Sequence, residues 1–348
     1  MNRRVASDSF ANKIDNCTFV KTILMLLVIL YHSCVFWKGE WFSVQEIQLK
    51  AEPLGVFSLW LNSFHVYTFT MVSGYIFSYQ KWEKKKYKDF GLFVVNKAKR
   101  LIVPYIFVSI AWVIPFGKLF YNYNLLTVIR NYVFAISPSQ LWFLMMLFWC
   151  FIGAWVLSDA IEKSNISSFA IAMGSFGIGI ICGIICPNIF CLWTAFQYFP
   201  MFILGMKLRS WKWIERIPIW VYTVADIVLF MNWIFLHGKE SAIMKLMSIG
   251  VEFFLHIVGA LMVWSVLQLI GSRVNWKDNK AFIVLSHFSM PMYLFHQQII
   301  YLTIFGLNGK VNPYLHAGIN FFVSLVCSFI ISSVLMKWKA TRILVGER

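Results

Sequence analysis

The chain has 348 residues, of which 59% are hydrophobic and only 13% charged. That charged share is about half of what a soluble domain carries, so an ordinary soluble enzyme of this length is excluded. The net charge of +16 falls mainly in short segments between apolar runs, which makes it a topology signal and excludes a nucleic-acid footprint.

Met1 to Lys13 is a basic-polar tail lacking the apolar core and small-residue cleavage site of a secretory signal. Apolar runs then predict spans at 17–37, 55–79, 101–117, 141–158, 169–186, 188–206, 217–236, 246–271, 281–306 and 314–336. Each is long enough for a hydrocarbon core of ~30 Å. Only Pro187-Asn188 separates the fifth from the sixth. With the N-terminus inside, roughly 23 of the 31 Lys and Arg residues fall on the cytoplasmic side and about 7 outside. Lys81 to Arg100 holds eight of them, and Lys337, Lys339, Arg342 and Arg348 close the chain. The expected fold is therefore all-α: one polytopic transmembrane helix bundle over residues 1–348, about ten spans, both termini cytoplasmic.

The first span carries two polar residues, Lys21 and His32, eleven positions and so roughly 16 Å apart along a helix. Ionisable groups inside a membrane are costly, which makes each a functional candidate. Counted from the cytoplasmic ends of their spans, His32, His65, His256 and His296 reach a common depth of roughly 21–23 Å. The rival reading for any one of them is a polar residue bonded to a neighbouring helix. Glu252 and His256, four apart, share a helix face, while His237 and His316 fall near outer helix ends, where solvent is expected.

His is the side chain that takes and returns a proton near neutral pH. An alcohol attacking a thioester or ester needs such a base and donors for the oxyanion. Tyr31, Tyr75, Trp142, Tyr293 and Gln297 are candidate donors, each with a rival role in packing or at the interface. No Gly-x-Ser-x-Gly elbow is present. A metal held by His32, His65 and His296 would have little carboxylate support beyond Glu252, and no metal is expected. The seven cysteines read as small apolar packing residues, and Gly174, Gly177, Gly179 and Gly183 as close-contact positions. Lys97, Lys99 and Arg100 persist against the membrane, beyond what anchoring to anionic lipid requires.

The chain resembles the acyltransferase-3 family of integral membrane acyltransferases over nearly its whole length. The marks are Lys21 with His32, Phe64-His65 followed by Ser73-Gly74-Tyr75, Lys97-Ala-Lys-Arg100 running to Pro104-Tyr105, Leu141-Trp142-Phe143-Leu144, Tyr198-Phe-Pro200 running to Gly205, and Ser289-Met-Pro-Met-Tyr293-Leu-Phe-His296. The resemblance implies a multi-pass protein of the bacterial cytoplasmic membrane that moves an acyl group, usually acetyl, from acyl-CoA to a hydroxyl of a cell-surface or lipid-linked sugar. It implies His32 as catalytic base, Lys97 and Arg100 as the pair that meets acyl-CoA, and Lys21 as the family's basic residue on the first helix. Lys99 and Lys21 are expected to join the acyl-CoA contacts as further cations near its phosphates. His65, Tyr75, Trp142 and His296 are then expected to contact the substrate beside the reacting groups, with the acceptor arriving near Trp142 and the loop after Lys118. Expected partners are the glycan acceptor and membrane lipid, with no nucleic acid. Two departures stand out: Thr18 occupies the place of the family's acid, with Asp15 one turn lower, and Val66-Tyr67 replaces the usual Met-Pro. A transporter or flippase of a lipid-linked sugar is the competing class; it would call for inverted repeats, which the sequence does not display.

Overall fold

A computed structural model describes residues 2–39 and 41–347, so Arg348, counted among the cytoplasmic bases, lies outside them. The described residues form helices and turns, with no strand: α1 Asn2–Cys34, α2 Glu52–Asn62, α3 His65–Ser78, α4 Phe90–Val108, α5 Ile114–Tyr121, α6 Leu125–Val128, α7 Trp142–Lys163, α8 Asn165–Ile185, α9 Leu192–Leu208, α10 Ile219–Leu236, α11 Ala242–Arg273, α12 Lys280–Leu307, α13 Pro313–Leu335 and α14 Lys339–Leu344. Short polar side chains start several of them. Asp89 accepts from the Leu92 amide at 2.6 Å ahead of α4, and Asn279 from Phe282 at 3.0 Å ahead of α12, each satisfying a donor the first turn leaves open.

Eight helical segments are long and apolar enough to cross a bilayer. Apolar side chains such as Ile166, Ile184 and Leu125 stand more than 70% exposed, a surface that only lipid or another protein can cover. This is a multi-pass membrane protein. The other two of the ten expected segments exist as helix but depart from a plain span. The second is broken at Ser63-Phe64 into α2 and α3. The ninth, α12, is 28 residues long but carries Ser286, His287, Ser289, His296, Gln297 and Gln298, a polar load with a purpose described below. The fifth and sixth do separate where expected: Asn188 accepts from the Trp193 amide at 2.9 Å and donates to the Thr194 hydroxyl at 2.7 Å, closing the turn that starts α9.

The expected N-terminal tail is helical from Asn2 and continuous with the first span. α1 is central, touching α3, α11, α12 and α13. α3 crosses α9 backbone to backbone at two glycines. A Cβ on Gly205 would collide with the Met71 carbonyl, and one on Gly74 with the Phe202 carbonyl, so only glycine fits at these two positions. The glycines of α8 divide. Gly179 and Gly183 face α9, but Gly174 and Gly177 meet open space, contrary to their expected close-contact role. His316 also differs from expectation: it is 2% exposed, within 3.3 Å of the Thr303 carbonyl and edge-on to Trp37.

Candidate active site

A single cavity of about 2170 Å³ runs through the bundle, bounded by α1, α3, α4, α7, α12 and the C-terminal residues. One stripe of α1 forms much of its wall: Thr18, Lys21, Thr22, Met25, Val28, Tyr31 and His32, residues three or four apart and so on one helical face. Because this stripe follows the helix axis, it fixes the order of the cavity. Lys21 lies toward one mouth, His32 lies deep, and Trp41 of the following loop lies beyond.

The first mouth is basic. Lys97, Lys99 and Arg100 line it beside Lys21. The Lys97 ammonium sits 3.4 Å from the ring centroid of Phe151, with Phe93 and Tyr87 about 5.5 Å away. Aromatic faces attract a cation, so this charge is held against the wall. Asp15 does not act on Lys21 as the family's displaced acid would; its carboxylate pairs with Lys277 at 2.9 Å. The Thr18 position is part of the cavity wall, and its carbonyl accepts from the Thr22 hydroxyl at 2.9 Å. Lys86, Lys339 and Arg342 also line this mouth. In the sequence they are indistinguishable from bases that only set topology.

Deep in the bundle three histidines converge, two of them on the cavity wall and one behind it. Nδ1 of His32 lies 2.9 Å from the Val28 carbonyl and 3.1 Å from Nε2 of His296. Nδ1 of His296 lies 2.7 Å from the Tyr293 carbonyl. A carbonyl can only accept, so each Nδ1 carries the proton. His296 then presents the lone pair of Nε2 to the Nδ1 proton of His32, and His32 keeps its own Nε2 lone pair uncommitted on the cavity wall. His65, with Nδ1 2.6 Å from the Leu61 carbonyl, is held in the same tautomer and is linked to His32 through the Tyr31 ring. The break at Ser63-Phe64 places His65 at the first position of α3, and the Ser63 carbonyl freed there accepts from His256 Nδ1 at 2.7 Å.

Of the residues expected near the reacting groups, His32, His65 and Trp142 line the cavity. Tyr75 does not: it is 1% exposed and packs on Trp264 behind α3. His296 is fully buried and touches His32 from behind, also without lining the cavity. His256 stands apart from the three, stacked on Tyr67 at 3.6 Å and paired with Glu252 at 3.6 Å. Among the donors, Tyr293 gives its hydroxyl proton to the Gln140 carbonyl, and Gln297 donates to Ser139 and Tyr301. That leaves the Tyr31 hydroxyl and the Trp142 indole N–H on the wall as the candidates for an oxyanion. Gln140 and Gln298, which pair through their amides at 2.7 and 3.0 Å, pin the start of α7 to α12 and carry no signal in the sequence.

Past the histidines the wall changes character. It is built from Trp41, Tyr121, Tyr123, Asn131, Ser137 and Tyr301 together with the glutamine network. Among the described residues no charged side chain lines this half, although Tyr121 and Tyr123 of the stretch after Lys118 do. Trp41 lies 5.5 Å from His32 and 4.9 Å from Tyr301.

Among the described residues, no group of three His, Cys, Asp or Glu side chains is arranged to hold a metal ion. Comparison with curated proteins and with solved structures gave no match. The family described as an acyltransferase domain matches residues 14–337, nearly the whole chain. On that match, over a multi-pass bundle that buries a basic mouth and a histidine cluster in one cavity, the chain belongs to the acyltransferase-3 family and is a membrane acyltransferase.

Proposed function

We propose that this protein transfers an acyl group, acetyl in the first instance, from acyl-CoA at the basic mouth to a sugar hydroxyl at the aromatic end. The plasma membrane is the proposed location, with the basic mouth facing the cytoplasm. The observation that carries the reading is the continuity of one cavity between two chemically different ends, with His32 between them. Its volume of about 2170 Å³ is more than twice the ~300–1,000 Å³ of an ordinary small-molecule pocket, room for two substrates at once.

The phosphates of CoA match the cations Lys21, Lys97, Lys99 and Arg100, and the thin pantetheine arm would follow the α1 stripe toward His32. At the far end, aromatic faces with neutral hydroxyls and amides suit an uncharged sugar, which offers apolar faces and many hydroxyls. A carboxylate there would be desolvated without a cation to meet it. An uncharged glycosyl unit, lipid-linked or on the cell surface, is therefore the proposed acceptor.

In the proposed step the acceptor hydroxyl attacks the thioester carbonyl while Nε2 of His32 takes its proton. The carbonyl oxygen becomes an oxyanion within reach of the Tyr31 and Trp142 donors. Collapse breaks the carbon–sulfur bond, and the imidazolium returns the proton to the departing thiolate, so ester and free CoA form with no net proton change. As His32 becomes cationic, its Nδ1 proton strengthens the bonds to His296 and Val28 already in place, the role an orienting partner plays in a catalytic triad. The test is thiol release from acetyl-CoA by purified protein given a neutral glycan acceptor. Wild type liberates thiol and acylates the glycan, while His32→Ala, still folded, does neither. Acylation retained by that variant contradicts the assignment, and binding of the glycan without thiol release by wild type points to a transporter.

A further inference from the structure

Residues 338–347 lie beyond the stretch matched to the family, which ends at 337, yet they build part of the cavity. After α13 the chain turns back, and α14 packs on α4. Lys339, Arg342 and Glu347 thereby reach the same mouth as Lys97, Lys99 and Arg100. This strap is anchored on its own account. Val345 is fully buried, and Arg342 Nε donates to the Met336 carbonyl at 2.7 Å.

Its register is set at one point. Pro104, inside α4, has no N–H for the carbonyl four residues back, that of Arg100. Gly346 lies over that carbonyl at φ +82°, where a Cβ would come within 2.7 Å of the oxygen. A left-handed φ and this approach both call for glycine. The strap is thus seated on the backbone of a residue whose side chain lines the mouth.

The charge count at the mouth gives the seating a purpose. Lys339 and Arg342 join five cations already there, against two carboxylates, Asp89 and Glu347; Asp89 also caps α4. Gathering like charges is unfavourable unless an anion joins them. The strap brings two cations and one carboxylate, a net gain of positive charge where five cations already stand, and such a gathering favours a ligand with several negative charges.

We propose that the strap 339–347 is a wall of the donor site, with Lys339 and Arg342 contacting the nucleotide phosphates of CoA. The inference rests on the donor reading above, and it is tested by binding, which needs no turnover. In nanodiscs of phosphatidylcholine alone, full-length wild type is expected to bind CoA more tightly than phosphate-free pantetheine. Lys339→Glu is expected to weaken CoA binding about tenfold, the size of one charge-assisted hydrogen bond, with little effect on pantetheine. Gly346→Ala, which dislodges the strap without altering a charge, is expected to weaken CoA binding as well. An unchanged CoA affinity in folded Lys339→Glu overturns the proposal. So does a loss seen only when phosphatidylglycerol is added, which would assign these cations to lipid headgroups, or a wild type that does not bind CoA. A wild type that binds CoA in this strap-dependent way but releases no thiol supports the strap and contradicts the transferase reading instead.

Discussion

Replacing His296 by Leu removes the acceptor that faces the Nδ1 proton of His32 at 3.1 Å and leaves the second acceptor, Val28 O at 2.9 Å, in place. The base keeps its tautomer and its orientation, so activity falls without vanishing. What is lost is one hydrogen bond to a group that becomes cationic in the transition state, ~1.5–3 kcal/mol, or roughly 10–100-fold in kcat. Because His296 is fully buried and does not line the cavity, KM for donor and acceptor stays within about twofold of wild type. His296→Gln, whose amide oxygen can accept the same proton, recovers part of the loss. The assay is steady-state thiol release in nanodiscs, with size-exclusion chromatography to confirm folding. A Leu variant at wild-type kcat, or one whose whole defect lies in KM, refutes the positioning role.

Trp41→Ala removes an aromatic face 5.5 Å from His32 and is expected to raise acceptor KM about tenfold, as loss of a buried Trp contact does, with donor KM unchanged; a change confined to donor KM would place Trp41 elsewhere. Neutral sugars are expected to outcompete uronic or sialic acids as acceptors, since no charged side chain among the described residues lines the far half of the cavity; a preferred acidic acceptor contradicts this. Gly205→Ala sets a Cβ against the Met71 carbonyl and is expected to cost ~2–3 kcal/mol of stability through the α3–α9 contact, read as a lower Tm in detergent; an unchanged Tm disproves the closeness of that crossing.

Much of the bundle was legible because a polar residue in an apolar run stands out. Lys21, His32, His65 and the Lys97–Arg100 group drew notice that way, and the structure places all of them on one cavity. Facing was harder to read. Tyr75 and His296 sit on helices that border the cavity without lining it, because which way each side chain points depends on neighbours far along the chain. The Gln140–Gln298 pair joins residues 158 positions apart, and neither side chain predicts the other. The break before His65 has no Pro or Gly to announce it, because the His256 ring, rather than local chemistry, satisfies the freed carbonyl. The strap was hidden for a different reason: Lys339 and Arg342 are also what the positive-inside rule would place there.

The most direct test of the central claim is sidedness. Protein reconstituted in one orientation in sealed vesicles is given acetyl-CoA on the side of Lys97 and Arg100 and a neutral glycan on the side of Trp41. The account predicts an acylated glycan from substrates that never share a compartment, with none formed by His32→Ala. Product that appears only when both substrates are on one side would contradict a reaction carried through the bundle.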